Sequence, residues 1–279
     1  MSTETVAAAA AAQPPAPRLI FIVPYRDRAR QKEFFMHHME YVLKDYAPDS
    51  YKIYFAHQCD GREFNRGAMK NIGFLAMRDM YPADYKNITF VFNDVDTMPY
   101  SPNHLQYETA AGTIKHFYGF NYTLGGIVSI KGADYERAGG FPNLWAWGME
   151  DNALQQRVLG AGMKIDRTQF YQINSPEILH FRDGITRTVN RTDFDIYMSK
   201  VPEGINTIRD LKYEIEGECI QVRGFSTGRE ENKATKREFD LRAGNKPFGS
   251  DPYGEKSVAK NMGLGVFKGG VQRKVQQPV

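Results

Sequence analysis

The chain has 279 residues and only 2 cysteines, Cys59 and Cys219, far apart in sequence. Two cysteines cannot form the disulfide framework of a small secreted domain, and a chain this long can bury a sizeable core without one. The plainer reading is a reducing compartment. Long apolar runs are also missing. No stretch approaches the roughly 20 apolar residues needed to span a bilayer, so no membrane span is expected. Ala7 to Ala12 is the nearest approach to a leader core, but no basic stretch precedes it and Gln-Pro-Pro follows. A cytoplasmic location is therefore expected, and the Asn-x-Thr triplets at Asn87, Asn121 and Asn190 carry no weight without a secretory signal. Strong charge of one sign is absent from the body of the chain. From Arg229 onward 11 Lys and Arg stand against 6 Asp and Glu, whereas the preceding 228 residues carry 25 against 27. A weakly acidic body argues against nucleic-acid binding, which needs a basic face on the folded domain. There is no internal repeat.

What is present is the alternating pattern of an α/β protein. Leu19 to Val23 is an apolar run closed by Pro24, which predicts a buried strand. Residues 31–46 place Phe35, Met39, Val42, Leu43 and Tyr46 at helical spacing. Tyr51 to His57 reads as a second strand and Asn65 to Met80 as a second helix. Ile88 to Phe92 reads as a third strand, running straight into Asn93-Asp94-Val95-Asp96. This order implies a mainly parallel sheet flanked by helices, with ligands at the carboxyl ends of its strands. Residues 122–160 are turn-rich and end in Trp145 to Asp151, before a helix from about Asn152. Residues 205–224 read as a helical turn and a strand. The segment from 229 onward is polar, Gly-rich and basic, with little periodicity, and reads as a loosely ordered tail.

Several constellations carry chemistry. An acidic pair such as Asp94 and Asp96 at a strand end can hold a divalent cation, and the cation a diphosphate. Alone, such a triplet is more often a solvated turn. Glu150 and Asp151 follow Trp147-Gly148-Met149. An indole offers an apolar face to a sugar ring, and a carboxylate can accept a hydroxyl proton. In isolation the same acids would simply favour a first helical turn. His180, with Glu177 three residues earlier, could ligate a metal. Phe64-Asn65-Arg66 opens a helix, where backbone amides and an arginine can bind phosphate. Pro24-Tyr25-Arg26-Asp27-Arg28 adds arginines at the same rim, although an arginine-rich turn is usually only a solvated edge.

The order of these pieces decides between the readings. Pro24 to Arg28, Phe64-Asn-Arg-Gly67, Asp94-Val-Asp96 with Pro99, Gly125-Gly126, Gly140-Phe-Pro-Asn143, Trp147-Gly-Met-Glu-Asp151 and His180-Phe-Arg-Asp183 follow one another from about residue 19 to about 225. The series resembles the β-1,4-galactosyltransferases, glycosyltransferase family seven. The resemblance implies a GT-A fold and an inverting, metal-dependent transfer of galactose or N-acetylgalactosamine from a UDP-sugar to a glycan hydroxyl. It implies that Pro24, Tyr25, Arg26, Arg28, Phe64, Asn65 and Arg66 line the uridine and diphosphate site, with Asp94 and Val95 beside the ribose. Asp96 and His180 would ligate Mn²⁺. Trp147 and Gly148 would close over the donor. Trp147, Gly148, Met149, Glu150 and Asp151 would meet the acceptor, with Asp151 as general base. Lys115 would be the phosphate-side lysine.

The departures shift the expectations. Glu177 stands where the family has a metal-binding Met, which opens the site to Mg²⁺. Met149 and Asn152 replace a Gly and an acid, which alters the acceptor side. Thr123 stands where those enzymes have a donor-pocket Tyr, which makes room for an N-acetyl group. The expected organisation is a tail over 1–17, one GT-A domain over 18–228 with closing loops at 143–150 and 181–200, and a basic tail over 229–279. The rival readings are a chondroitin-type or polypeptide-type N-acetylgalactosaminyltransferase, and a non-catalytic sugar- or nucleotide-binding protein.

Overall fold

The computed structural model describes residues 15–181, 184–200, 202–243 and 247–248. Residues 1–14 of the tail expected over 1–17, Arg182 and Asp183 of the His180 motif, and residues 249–279 lie outside the described residues. In chain order the elements are β1 (Leu19–Tyr25), α1 (Ala29–Val42), β2 (Tyr51–Gln58), α2 (Arg66–Met80), β3 (Thr89–Asn93) and β4 (Thr97–Pro99). Then come β5 (Thr113–Gly119), β6 (Ile127–Lys131), α3 (Gly132–Ala138), α4 (Glu150–Gly160), β7 (Lys164–Asp166), β8 (Tyr171–Gln172) and β9 (Ile178–His180). The chain continues through β10 (Thr186–Asn190), α5 (Arg191–Met198), β11 (Arg209–Glu216), β12 (Cys219–Ser226) and β13 (Lys236–Asp240).

Nine strands form one mixed sheet in the order β11-β12-β2-β1-β3-β6-β5-β7, with β8 also on β5. The pairs β12–β2, β2–β1, β1–β3, β5–β7 and β5–β8 are parallel; β11–β12, β3–β6 and β6–β5 are antiparallel. β1 is covered on both faces, which is why it reads as a continuous apolar run rather than an alternating one. Leu19, Phe21 and Val23 pack with Phe35, Met39 and Val42 of α1, while Ile20 and Ile22 pack with Met69, Ile72 and Phe74 of α2. This is the GT-A arrangement expected from the sequence.

Three expectations about the second half change. Residues 209–226 form a hairpin of two strands, β11 and β12, because both runs alternate on an outer sheet position. The segment from 229 is not uniformly loose: β13 pairs antiparallel with β10, Val189 opposite Arg237. The domain boundary expected at 228 therefore falls inside a folded region. Of the expected loop over 181–200, residues 186–190 are strand and 191–198 helix. Both cysteines are free, and no helix among the described residues is long and apolar enough to cross a membrane.

α2 approaches β1 so closely that a Cβ on Gly73 would collide with Ile22, which is fully buried. Alanine there would gain about 1 kcal/mol of helix propensity. It would also overpack the contact at a cost of roughly 1–3 kcal/mol or more. Gly73→Ala is thus expected to lower stability by about 1 kcal/mol, read as a reduced urea midpoint with an unchanged slope.

Candidate active site

A cleft of about 1080 Å³ opens at the carboxyl-terminal rim of β1 and β3. One wall is Pro24, Arg26 and Arg28 after β1, Phe64 and Arg66 at the head of α2, and Asp94, Val95 and Asp96 after β3. The facing wall is Thr123, Trp147, Gly148, Met149 and the first turn of α4, Glu150 and Asp151. His180 closes one end, and Thr186, Thr188 and Leu241 beside the β10–β13 pair form a lip.

Two cations of α2 sit between the acids of both walls. Arg66 Nη2 donates to both carboxylate oxygens of Asp94 at 2.9 Å, and its Nη1 lies 3.3 Å from Glu150 Oε1. Lys70, one turn on and 2% exposed, lies 3.4 Å from Asp151 Oδ1 and 3.7 Å from Asp94 Oδ1. Its ammonium is also 4.4 Å from the centre of the Phe141 ring. Burial works against the Asp94 carboxylate, but Arg66 and Lys70 outweigh it and hold the group below the usual carboxylate range. Burial, helped by Asp94, pushes Asp96 up to about 6. Burial also pushes Asp151 up to about 6; Glu150 and Asp94 add to the rise, while Lys70 and Arg66 oppose it. Glu150 is buried, and neither of its carboxylate oxygens has a hydrogen-bond partner. With Oε1 held only by the Arg66 ion pair, these buried oxygens can still accept from an incoming donor such as a hydroxyl.

Local geometry explains how Glu150 and Asp151 reach this position. Met149 adopts a left-handed conformation, φ 73°, as the N-cap of α4, so the chain turns sharply and both acids fall in the first helical turn. The helix dipole favours carboxylates there. Backbone strain at a non-glycine residue is often kept at functional sites. The Gly125 loop lies directly against Asp151: Leu124 N–H donates to Asp151 O at 3.1 Å, and a Cβ on Gly125 would collide with Oδ2 of the carboxylate. His116 supports that loop from below. Its Nε2 faces Tyr118 O at 3.0 Å and Gly125 O at 3.1 Å, and its Nδ1 accepts from Arg167 Nε at 3.0 Å, which fixes the tautomer. Burial and Arg167 push this imidazole down to about 4, so it stays neutral.

The Trp147 segment is tied at two points. Trp147 N–H donates to Thr188 O of β10 at 2.9 Å, and Trp145 N–H donates to Asp193 Oδ2 at 2.7 Å. Arg62 lies 4.4 Å from the centre of the Trp145 ring and 4.5 Å from that of Phe225.

The residues at the His180 end suit a divalent cation. Thr97 stands opposite His180 in the β4–β9 ladder, and Phe181 N–H donates to Asp96 O at 2.9 Å, so Asp96 and His180 are neighbours across two strands. Tyr118 Oη meets His180 Nδ1 at 3.0 Å, which orients the imidazole. A carboxylate oxygen with an imidazole nitrogen fits Mn²⁺. No group of three or more His, Cys, Asp or Glu among the described residues could hold a metal. A cation here would complete its shell from a bound anion or water.

Four expected site residues are not at the cleft. Tyr25 follows strand alternation to the other face and packs edge-on against Phe55 and His57. Asn65 is buried and caps α2, its Oδ1 accepting from Ala68 N–H at 2.9 Å. Lys115 lies toward the far edge of the sheet and donates to Gln106 O at 2.8 Å. Glu177 is turned to solvent and accepts from Ser175 Oγ at 2.6 Å, because three residues along a strand reverse the side. The reason for expecting Mg²⁺ goes with it. The expectations missed Lys70, His116, Tyr118 and Asp193. Lys70 carried the one available signal: a cation on an otherwise apolar helix stripe.

Residues 9–108 match the model for the N-terminal region of glycosyl transferase group 7, and residues 106–183 match that for the N-terminal domain of galactosyltransferase. The chain is 27% identical over 217 residues to xylosylprotein 4-beta-galactosyltransferase of Caenorhabditis elegans, covering 71% of this chain and 72% of that protein. It is 30% identical over 212 residues to beta-1,4-galactosyltransferase 2 of Cricetulus griseus, covering 72% and 56%. Relative to the rodent proteins it matches, the chain spans little more than half their length. The catalytic domain of Drosophila beta1,4galactosyltransferase 7, solved with xylobiose, superimposes with a TM-score of 0.58 at 19% identity, covering 74% of this chain and 94% of that one. That likeness is one of fold.

Asp193 generates a stability prediction. Burial pushes its carboxyl up to about 7, with Glu203 and Glu231 adding, against the stabilising bond from Trp145 N–H. A raised folded-state value contributes stability below the unfolded value, near pH 4, and that stability is lost as the pH rises through about 7. Asparagine can accept the same hydrogen bond without a charge. Asp193→Asn should match the parent near pH 4 and exceed it by roughly 1–3 kcal/mol near pH 8, measured by urea unfolding across the range.

Proposed function

The chain belongs to glycosyl transferase group 7, and from that membership we propose that it is a metal-dependent, inverting hexosyltransferase moving galactose or N-acetylgalactosamine from a UDP-sugar to a glycan hydroxyl. One observation carries the reading: a cation-ready pair, Asp96 and His180, and two adjacent carboxylates, the buried Glu150 and the partly exposed Asp151, line the same cleft. The first suits a diphosphate leaving group and the second an attacking hydroxyl.

In this reading Arg26, Arg28, Phe64 and Arg66 flank the nucleotide, with Asp94 and Val95 beside the ribose. Asp96 and His180 hold Mn²⁺, which when bound supplies positive charge to the departing diphosphate. Asp151 takes the proton of the acceptor hydroxyl, whose oxygen attacks the sugar from the face opposite the diphosphate and so inverts the anomeric centre. Glu150, ion-paired with Arg66 but without a hydrogen bond, accepts from a second acceptor hydroxyl. Trp147 and the stacked pair Phe120 and Tyr122, centroids 5.2 Å apart, offer apolar faces to sugar rings. Closure of the 143–150 segment would exclude water and limit donor hydrolysis.

A UDP-release screen tests the reading across UDP-sugars and acceptors. Xylosides belong among the acceptors, because the C. elegans relative is a xylosylprotein galactosyltransferase. Release with no donor would leave the binding-protein alternative. Two variants should separate the walls. Asp96→Asn should weaken Mn²⁺-dependent UDP binding. Asp151→Asn should lower turnover by roughly 10²–10⁴ with UDP affinity retained. Collapse of UDP affinity in Asp151→Asn, read by calorimetry, would refute its role. Repeating the metal dependence with Mg²⁺ addresses the second cation.

The donor preference turns on Thr123. It is buried at the cleft wall, and its hydroxyl leans on Phe120 O at 3.4 Å. What it offers a donor is therefore small size, which suits an N-acetyl group. One group gained or lost in a pocket discriminates by roughly 1–3 kcal/mol, so N-acetylgalactosamine should be accepted beside or ahead of galactose. In donor competition, Thr123→Tyr should shift the ratio toward galactose about tenfold to a hundredfold. An unchanged ratio removes Thr123 from the donor pocket.

A further inference from the structure

Asp151 is faced by Lys70 and Arg66 from α2, by Glu150 from its own helix and by Asp94 from the turn after β3. Arg66 is already engaged, bidentate on Asp94 and in ion-pair contact with Glu150. The cation within ion-pair distance of Asp151 is Lys70, at 3.4 Å. A lysine ammonium is strongly hydrated, and burying one is costly unless it is paired. Here it is 2% exposed, and its partners are one carboxylate from each wall of the cleft. With the side chain almost fully buried and its ammonium against the Phe141 ring, the head has little freedom to leave.

We propose that Lys70 is a positioning residue for sugar transfer: its ammonium, bridged between Asp94 and Asp151, keeps Asp151 ionised and fixed against the Gly125 loop until the acceptor hydroxyl arrives. The proposal rests on the reading of Asp151 as the base. During transfer the acceptor O–H bond breaks, its proton passes to the Asp151 carboxylate, and Lys70 keeps its own protons. The neutral Asp151 then releases its hold on the ammonium, which remains with Asp94 on the nucleotide side. Lys70 thereby joins the protonation of the acceptor base to the charge on the donor wall.

Lys70→Gln keeps a long polar side chain and removes the charge; Lys70→Met provides a second variant should the first fold poorly. For the parent enzyme the acid limb of kcat/KM should lie near pH 6, where burial places Asp151. Losing an opposite charge at this distance should move that limb upward by about 1–3 pH units. UDP affinity should change little, because Arg66 still grips Asp94. In an Asp151→Asn background, Lys70→Gln should cause no further loss of turnover, since its partner is already gone. An unmoved limb, or a Lys70→Gln loss that is the same with and without Asp151, would overturn the proposal. Should the parent transfer no sugar, the reading of function falls, yet the pair can still be read: carboxyl carbon NMR should show Asp151 titrating at higher pH in Lys70→Gln. An unchanged titration there overturns the proposal as well.

Discussion

Charge that has left water must find its counter-charge, and this constraint organises the cleft. Arg66 and Lys70 stand one turn apart on α2, and Asp94, Glu150 and Asp151 reach them from two separate turns. Neither set could be buried alone, because an unpaired buried ion costs several kcal/mol. Paired, they bind the turn after β3 and the first turn of α4 to the same helix. The two sides of the cleft are therefore held together by the charges that line it. The cost appears in Asp96 and Asp151, which burial and neighbouring carboxylates leave with acid strengths near 6.

Much of the scaffold was legible in the sequence because its signals are local. β1, β2, α2 and β3 lie within about two residues of the positions given by apolar periodicity, and α1 ends four residues earlier than expected, at Val42; each buries a face set by its own spacing. The cleft walls followed from motif order, and most of the residues so named line it. What was not legible depends on partners distant in sequence. β4 and β9 are three residues each and exist only because they pair with one another. β13 looked like an unstructured basic tail until β10 lay beside it. Among site residues, the errors follow from side-chain direction. Tyr25 and Glu177 are in the right segments and on the wrong faces, and Asn65 spends its amide on a cap. Lys70 was overlooked because a lysine on a helix normally points to water.

Close backbone approach is the second device of the site. Gly125 allows a loop to lie on Asp151, while His116, kept neutral by burial, holds that loop through two carbonyls. Met149 accepts a left-handed conformation so that α4 can begin where it does. These features fix main chain rather than side chains, so a rigid rim surrounds acids whose protonation is free to change.

The β10–β13 ladder has a consequence for biosynthesis. β10 ends at Asn190 and β13 begins at Lys236, so the ribosome must add the whole intervening stretch before the ladder can close. At roughly 5–20 residues per second that delay is on the order of seconds. Throughout it, the strand whose Thr188 carbonyl receives Trp147 has no partner on its other edge. The nascent protein thus completes its sheet and its charged floor first, and gains the lip over the acids only as the later residues emerge.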